Sequence, residues 1–122
     1  MKEAYEFIKE CGVFFVSTIN NTKPSTRPFG AIMEYMGNLY ITTGTNKEVY
    51  KQMKQNKNIQ IVALKNGTRN WIRLDGLAYE SNDLSLKQKM LEECPILNKR
   101  YSSVNDKMFA LFKITVTEYN IY

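Results

Sequence analysis

The chain has 122 residues, enough for one domain with its own core, and no apolar run approaches the roughly 20 residues that span a bilayer. Hydrophobic residues make up 43% and charged residues 24%, a globular balance that excludes disorder. There is no histidine, and the two cysteines, Cys11 and Cys94, lie far apart, which excludes Ser-His and Cys-His nucleophiles, CxxC pairs and the commonest transition-metal ligand.

Lys2–Cys11 places Ala4, Phe7, Ile8 and Cys11 at helical spacing, and Gly12 stops the helix. Its mixed acids and bases are not an export signal, so a soluble cytoplasmic protein with reduced cysteines is expected. Val13–Ile19 is β-branched and aromatic and predicts a strand, followed by a turn over Asn20–Pro24. Ser25–Met36 reads as one second strand. Within it Pro28 cannot donate to a ladder and Gly30 cannot pack, which marks an edge, a bulge or a close approach to the backbone. Gly37-Asn38 is a two-residue hairpin signal leading into a third strand, Leu39–Thr43.

Asn46 is suited to cap a helix that carries Val49, Tyr50 and Met53 on its inner face and Glu48 in its first turn. Ile59–Leu64 predicts a strand, Asn66-Gly67 a tight turn, and Trp71–Tyr79 a strand bulged at Gly76. Asp83 can cap a third helix, on which Leu84, Leu86, Met90, Leu91 and Cys94 recur until Pro95 ends it. An irregular connector, Pro95–Lys107, precedes a last strand, Phe109–Tyr119, with Ala110, Phe112, Ile114 and Val116 on one face. No repeat or linker interrupts residues 1–122, so a single domain is expected. It is mainly β, with six antiparallel strands in a closed or partly split barrel flanked by two to three α-helices. GxGxxG and GxxxxGK[ST] are both absent.

The net charge of +5 is unevenly spread: between Asn46 and Arg73, seven lysines and arginines meet a single acid, Glu48. Such a region implies an anionic partner, with phosphate the obvious candidate, although Lys51, Lys54 and Lys57 read as water-facing helix lysines. Thr42, Thr43, Thr45, Asn46 and Lys47 surround a helix start, where free amides and the helix dipole favour an anion. A lysine in the first turn is misplaced by the same dipole, which makes Lys47 the clearest hint of a bound anion.

Three segments follow one another in a distinctive order: TRPFG at Thr26–Gly30, LYITTGTNKEVYKQM at Leu39–Met53, and NWIRLDGLA at Asn70–Ala78. The set resembles the pyridoxamine 5′-phosphate oxidase-like family of FMN-binding split barrels, including relatives of general stress protein 26. PILNKRYSSVNDK at Pro95–Lys107 is similar to a stretch of its short members. The resemblance implies a split β-barrel with FMN at a homodimer interface. It implies Pro28, Phe29 and Gly30 along the flavin ring, with Arg27 near the ring or the phosphate, unless Arg27 is a surface residue. Thr42, Thr43, Asn46 and Lys47 would surround the phosphate. Trp71 would serve as a cofactor contact, reaching the flavin from the partner chain, or as interface or core packing. Deazaflavin and haem use the same groove in relatives. The vitamin B6 oxidases grip their substrate with an Arg and a His near the C-terminus, so without histidine, oxidation of pyridoxamine phosphate is not expected.

Three functions fit these features. The first is an FMN-dependent oxidoreductase acting on a small molecule, with the chemistry carried by the cofactor. The second is a non-catalytic flavin, deazaflavin or haem module. The third is a single-stranded nucleic-acid binder, which the gathering of charge on one helix, away from an aromatic strand face, disfavours.

Overall fold

The structure, a computed structural model, describes residues 1–122. Seven strands form one sheet: β1 (Phe14–Asn20), β2 (Lys23–Phe29), β3 (Ile32–Tyr35), β4 (Asn38–Gly44), β5 (Asn58–Leu64), β6 (Trp71–Ser81) and β7 (Phe109–Ile121). Three helices accompany them, α1 (Lys2–Cys11), α2 (Glu48–Gln55) and α3 (Leu84–Glu93), with a 3-10 turn over Pro95–Lys99 inside the expected irregular connector. The spatial order is β2-β1-β5-β6-β7-β4-β3, with every pairing antiparallel.

The count is seven rather than six because the expected second strand is two strands. β2 and β3 are the opposite edges of the sheet, yet only Gly30 and Ala31 separate them in the chain. Three peptide steps span at most about 11 Å. The sheet must therefore curl until its edges come together, which makes it a barrel split along a seam between β2 and β3. Pro28 sits on an edge strand, where a missing donor costs no ladder bond.

Alternation decides the faces. Phe14 and Val16 of β1, Ile61 of β5, Leu74 of β6, Phe112 of β7 and Ile41 of β4 point inward, where α1 adds Ala4, Phe7 and Ile8 and α2 adds Val49 and Met53. Outside the sheet, α3 and the 3-10 turn cover Met33, Tyr40, Phe109 and Leu111 with Met90, Leu91, Leu97 and Tyr101. The bulge falls at Asp75/Gly76 as predicted. A Cβ on Gly76 would lie 2.7 Å from Ile114 Cγ2, so β7 passes too close for any larger residue.

The β3–β4 hairpin differs from expectation by one residue. Tyr35 pairs with Asn38, so the two-residue loop is Met36-Gly37, both at positive φ (51° and 82°), as a type I′ turn requires. No helix is long and apolar enough to cross a membrane.

Asp83 caps α3 as expected, accepting from the amides of Ser85 and Leu86. Asp106 organises the turn before β7 in the same way, accepting from the amides of Ser102 and Met108. These bonds hold both carboxyl pKa values below the ordinary range: the Ser85 hydroxyl and Leu86 amide act first on Asp83, and the Ser102 and Met108 amides on Asp106. A lowered folded-state pKa gives stability that is present above the unfolded value and lost as pH falls through the folded one. Thermal melts between pH 6 and pH 2 are therefore expected to show Tm falling below about pH 4. Asp83→Asn should flatten part of that fall, and an unchanged slope would remove Asp83 from the account.

Candidate cofactor site

Arg27 lies on β2 opposite Val16, so its side chain enters the barrel interior beside α2. Its Nη1 donates to Thr18 Oγ1 at 2.7 Å and to the carbonyls of Ser25 and Val16 at 3.1 and 3.2 Å, and Nη2 donates to Gln52 Oε1 at 2.8 Å. All of these acceptors are neutral. No carboxylate approaches the guanidinium within ion-pair distance, and burial pushes its pKa down. A half-buried cation without a counter-ion is costly, and an anion from outside the chain would relieve the cost.

The turn Gly44–Lys47 carries the second cation. Lys47, not Asn46, is the N-cap of α2, and no side chain caps the helix. The reason is local: Asn46 Oδ1 folds back over Gly44, 2.6 Å from where a Cβ would sit there, and cannot reach forward to the helix amides. Thr45 is tied to the turn before β7, its amide to the Met108 carbonyl at 3.0 Å and its hydroxyl to the Lys107 carbonyl at 3.2 Å. The start of α2 thus keeps free amides, a positive dipole end and an exposed lysine with no carboxylate partner.

Three of the other six cations in the basic stretch are paired with acids, and Lys57, Arg69 and Arg73 are not. Lys51 pairs with Glu48, Lys65 with Glu10, and Lys54 with Glu80 at 2.8 Å, where Glu80 also accepts from Tyr50 Oη. Lys54 is therefore an anchor of α2 and not the free water-facing lysine that its helical position implies. Lys57 lies over the Tyr79 ring.

The remaining expected residues divide. Thr43 is on the inner face opposite Ala110, whereas Thr42 is opposite Leu111 on the outer face, so the two hydroxyls cannot line one groove. Pro28 and Gly30 are exposed along the seam, and Phe29 packs at 6.0 Å from Phe14. Trp71 opens β6, while Glu80, which anchors α2, is near its other end, nine residues or about 30 Å along the strand. Trp71 instead stacks on Tyr122 at 4.4 Å, with the Arg73 guanidinium about 5.5 Å from both rings. Within one chain it does not join Arg27 and Lys47.

Sequence reasoning missed Thr18 and Gln52. A signal existed: Thr18 takes the inward position after Phe14 and Val16, and Gln52 lies beside Met53 on the packed side of α2, so both are polar where apolar residues are due. A concavity of about 440 Å³ opens among Ser17, Thr18, Gln60, Asp75 and Thr117. It shares only Thr18 with the Arg27 cluster and has no cation in its lining.

A family model described as pyridoxamine 5′-phosphate oxidase matches residues 1–122. The chain belongs to the pyridoxamine 5′-phosphate oxidase-like family. Among solved structures it is similar to a NimC/NimA family protein from Clostridium acetobutylicum, with 41% identity and a TM-score of 0.94 over 100% of this chain and 86% of that one. General stress protein 26 from Bacillus anthracis shares the fold at 20% identity and a TM-score of 0.82, covering 98% of this chain and 91% of that one. HutZ, the haem storage protein of Vibrio cholerae, shares it at 12% identity and a TM-score of 0.76, covering 99% and 92%. No curated protein sequence matches. The split barrel expected of this family is the fold observed, with one strand more than anticipated.

Proposed function

We propose that this chain binds FMN at the seam between β2 and β3 and works, as a homodimer, as an FMN-dependent oxidoreductase on a small molecule. One observation carries the reading: Arg27 and Lys47, two cations without counter-ions, flank the uncapped α2 beside the only gap in the barrel. An FMN phosphate is a dianion that such a site would neutralise. Pro28, Phe29 and Gly30 would offer the flavin ring an edge strand whose outward backbone groups are not consumed by a ladder. Bound FMN supplies hydride and electron transfer, and the chain's part is to bind, orient and shield it.

FMN is favoured over haem. The haem storage protein has the same fold, but this chain has no histidine to ligate iron, and its uncompensated cations suit a phosphate. The absorbance spectrum separates FMN from deazaflavin. Purified protein incubated with FMN is expected to retain it through desalting and to show flavin bands. Pyridoxamine 5′-phosphate should leave that flavin oxidised. Protein that emerges colourless with FMN fluorescence unquenched would overturn the proposal, and a Soret band on purification would move it to haem.

A further inference from the structure

Two buried side chains fix the Arg27 guanidinium, and neither reaches the surface of the seam. Thr18 and Gln52 are 2% and 6% exposed. The Thr18 hydroxyl donates to Gln52 Oε1 at 2.5 Å, Arg27 Nη1 donates to Thr18 Oγ1 at 2.7 Å, and Arg27 Nη2 closes the ring on Gln52 Oε1 at 2.8 Å. The three groups come from β1, β2 and α2. With the Ser25 and Val16 carbonyls they occupy Nη1 and one hydrogen of Nη2, and leave Nε–H and the other Nη2 hydrogen without an acceptor in the chain.

A ring built only to cross-link three elements has no need of a formal charge. A purely structural cross-link would pair the charge with a carboxylate or use every donor it orders, because a partly buried cation with no counter-ion carries a desolvation cost. We propose that Thr18 and Gln52 are positioning residues: they hold the guanidinium so that its two unused N–H groups present a fixed edge to an oxoanion. This deepens the proposed FMN site and rests on it, the oxoanion being the FMN phosphate. Gln52 also links the two cations. It lies five residues after Lys47 on the same helix, about 7.5 Å along the axis. Docking of α2 through Gln52 therefore fixes the helix start that carries Lys47 relative to Arg27.

The discriminating variant is Gln52→Glu, which keeps the shape and gives Arg27 the carboxylate it lacks. FMN affinity is expected to fall at least tenfold, riboflavin affinity to stay within twofold, and Tm to hold or rise. Thr18→Val should lower FMN about tenfold relative to riboflavin, and Thr18→Ser, which restores the hydroxyl, should recover it. If the ring is structural only, Gln52→Glu leaves the FMN-to-riboflavin ratio at its wild-type value, and the proposal falls. Inorganic phosphate is a probe that does not depend on flavin: it should raise the Tm of the wild type but not of Gln52→Glu. An equal rise in both overturns the positioning role whatever flavin does. Wild type that binds neither flavin but keeps the phosphate difference overturns the FMN reading alone.

Discussion

Replacing Lys47 with alanine is expected to weaken FMN ten- to a hundredfold while leaving riboflavin almost untouched and the fold intact. The lysine is exposed, packs into no core and has no carboxylate partner, so its removal costs the barrel little. Its position at the N-cap of α2 sets a full positive charge against the positive end of the helix dipole. A phosphate seated there reverses the sign of that interaction. One charge-assisted contact contributes about 1.5–3 kcal/mol, which is the stated range in affinity. The control is Lys51→Ala, because Lys51 meets only Glu48, at 3.7 Å on the exposed side of the helix. Lys54 would be a misleading control, since its loss also unties Glu80 and Tyr50. Titrations of both ligands against the three proteins, followed by flavin fluorescence, check the result. Equal losses for FMN and riboflavin would mean that Lys47 acts through structure, and the phosphate assignment would be wrong.

Local rules made most elements legible. Inward alternation in β7 and the Asp83 cap could be read from the chain because each rests on neighbours within a few residues, and the Gly76 bulge because glycine inside a strand pattern marks one. What could not be read depends on residues far apart. Gly30 and Ala31 carry the chain from one edge of the sheet to the other, yet nothing in their composition separates that crossing from a bulge, and neither has positive φ. The hairpin shifted because Met36 adopts φ 51°, a conformation its side chain does not advertise, whereas Gly37-Asn38 is a familiar turn pair. At the site, Lys47 was legible as a charge in the wrong place. Asn46 looked like a cap because its side chain can cap, but whether it turns forward to the amides or back over Gly44 is decided by the turn. Arg27 came forward with its motif. Its uncompensated burial appears only once β1, β2 and α2 have been brought together.

Phe15→Arg is expected to convert a dimer into monomers and to release FMN with it. The covered part of the outer sheet face ends where α3 ends, over β3, β4 and the start of β7. Across β1, β5 and β6 that face is bare, and large apolar side chains stand on it beside the polar Ser17, Gln60, Arg73 and Asp75. Phe15, Leu64 and Tyr79 are 44%, 57% and 37% exposed, and the register sets Phe15 beside Val62 and Leu64 beside Trp71. An exposed apolar cluster around Phe15, Val62, Leu64 and Trp71 asks for a partner, and a second copy related by a two-fold axis meets the same patch with itself. The single-chain seam is also open on one side, so a partner must supply the other wall if a tricyclic ring is to be shielded from water. An arginine at position 15 would appear twice in such an interface, each unpaired, and should raise the dimer dissociation constant by about a hundredfold or more. Because Phe15 points away from the core, circular dichroism and Tm of the variant should change little. Light scattering of the wild type should give twice the chain mass of 14.2 kDa, and the variant a single chain mass. A wild type that is monomeric at micromolar concentration with FMN still bound would refute the shared groove. A Phe15→Arg protein that stays dimeric and yellow would move the interface to another face.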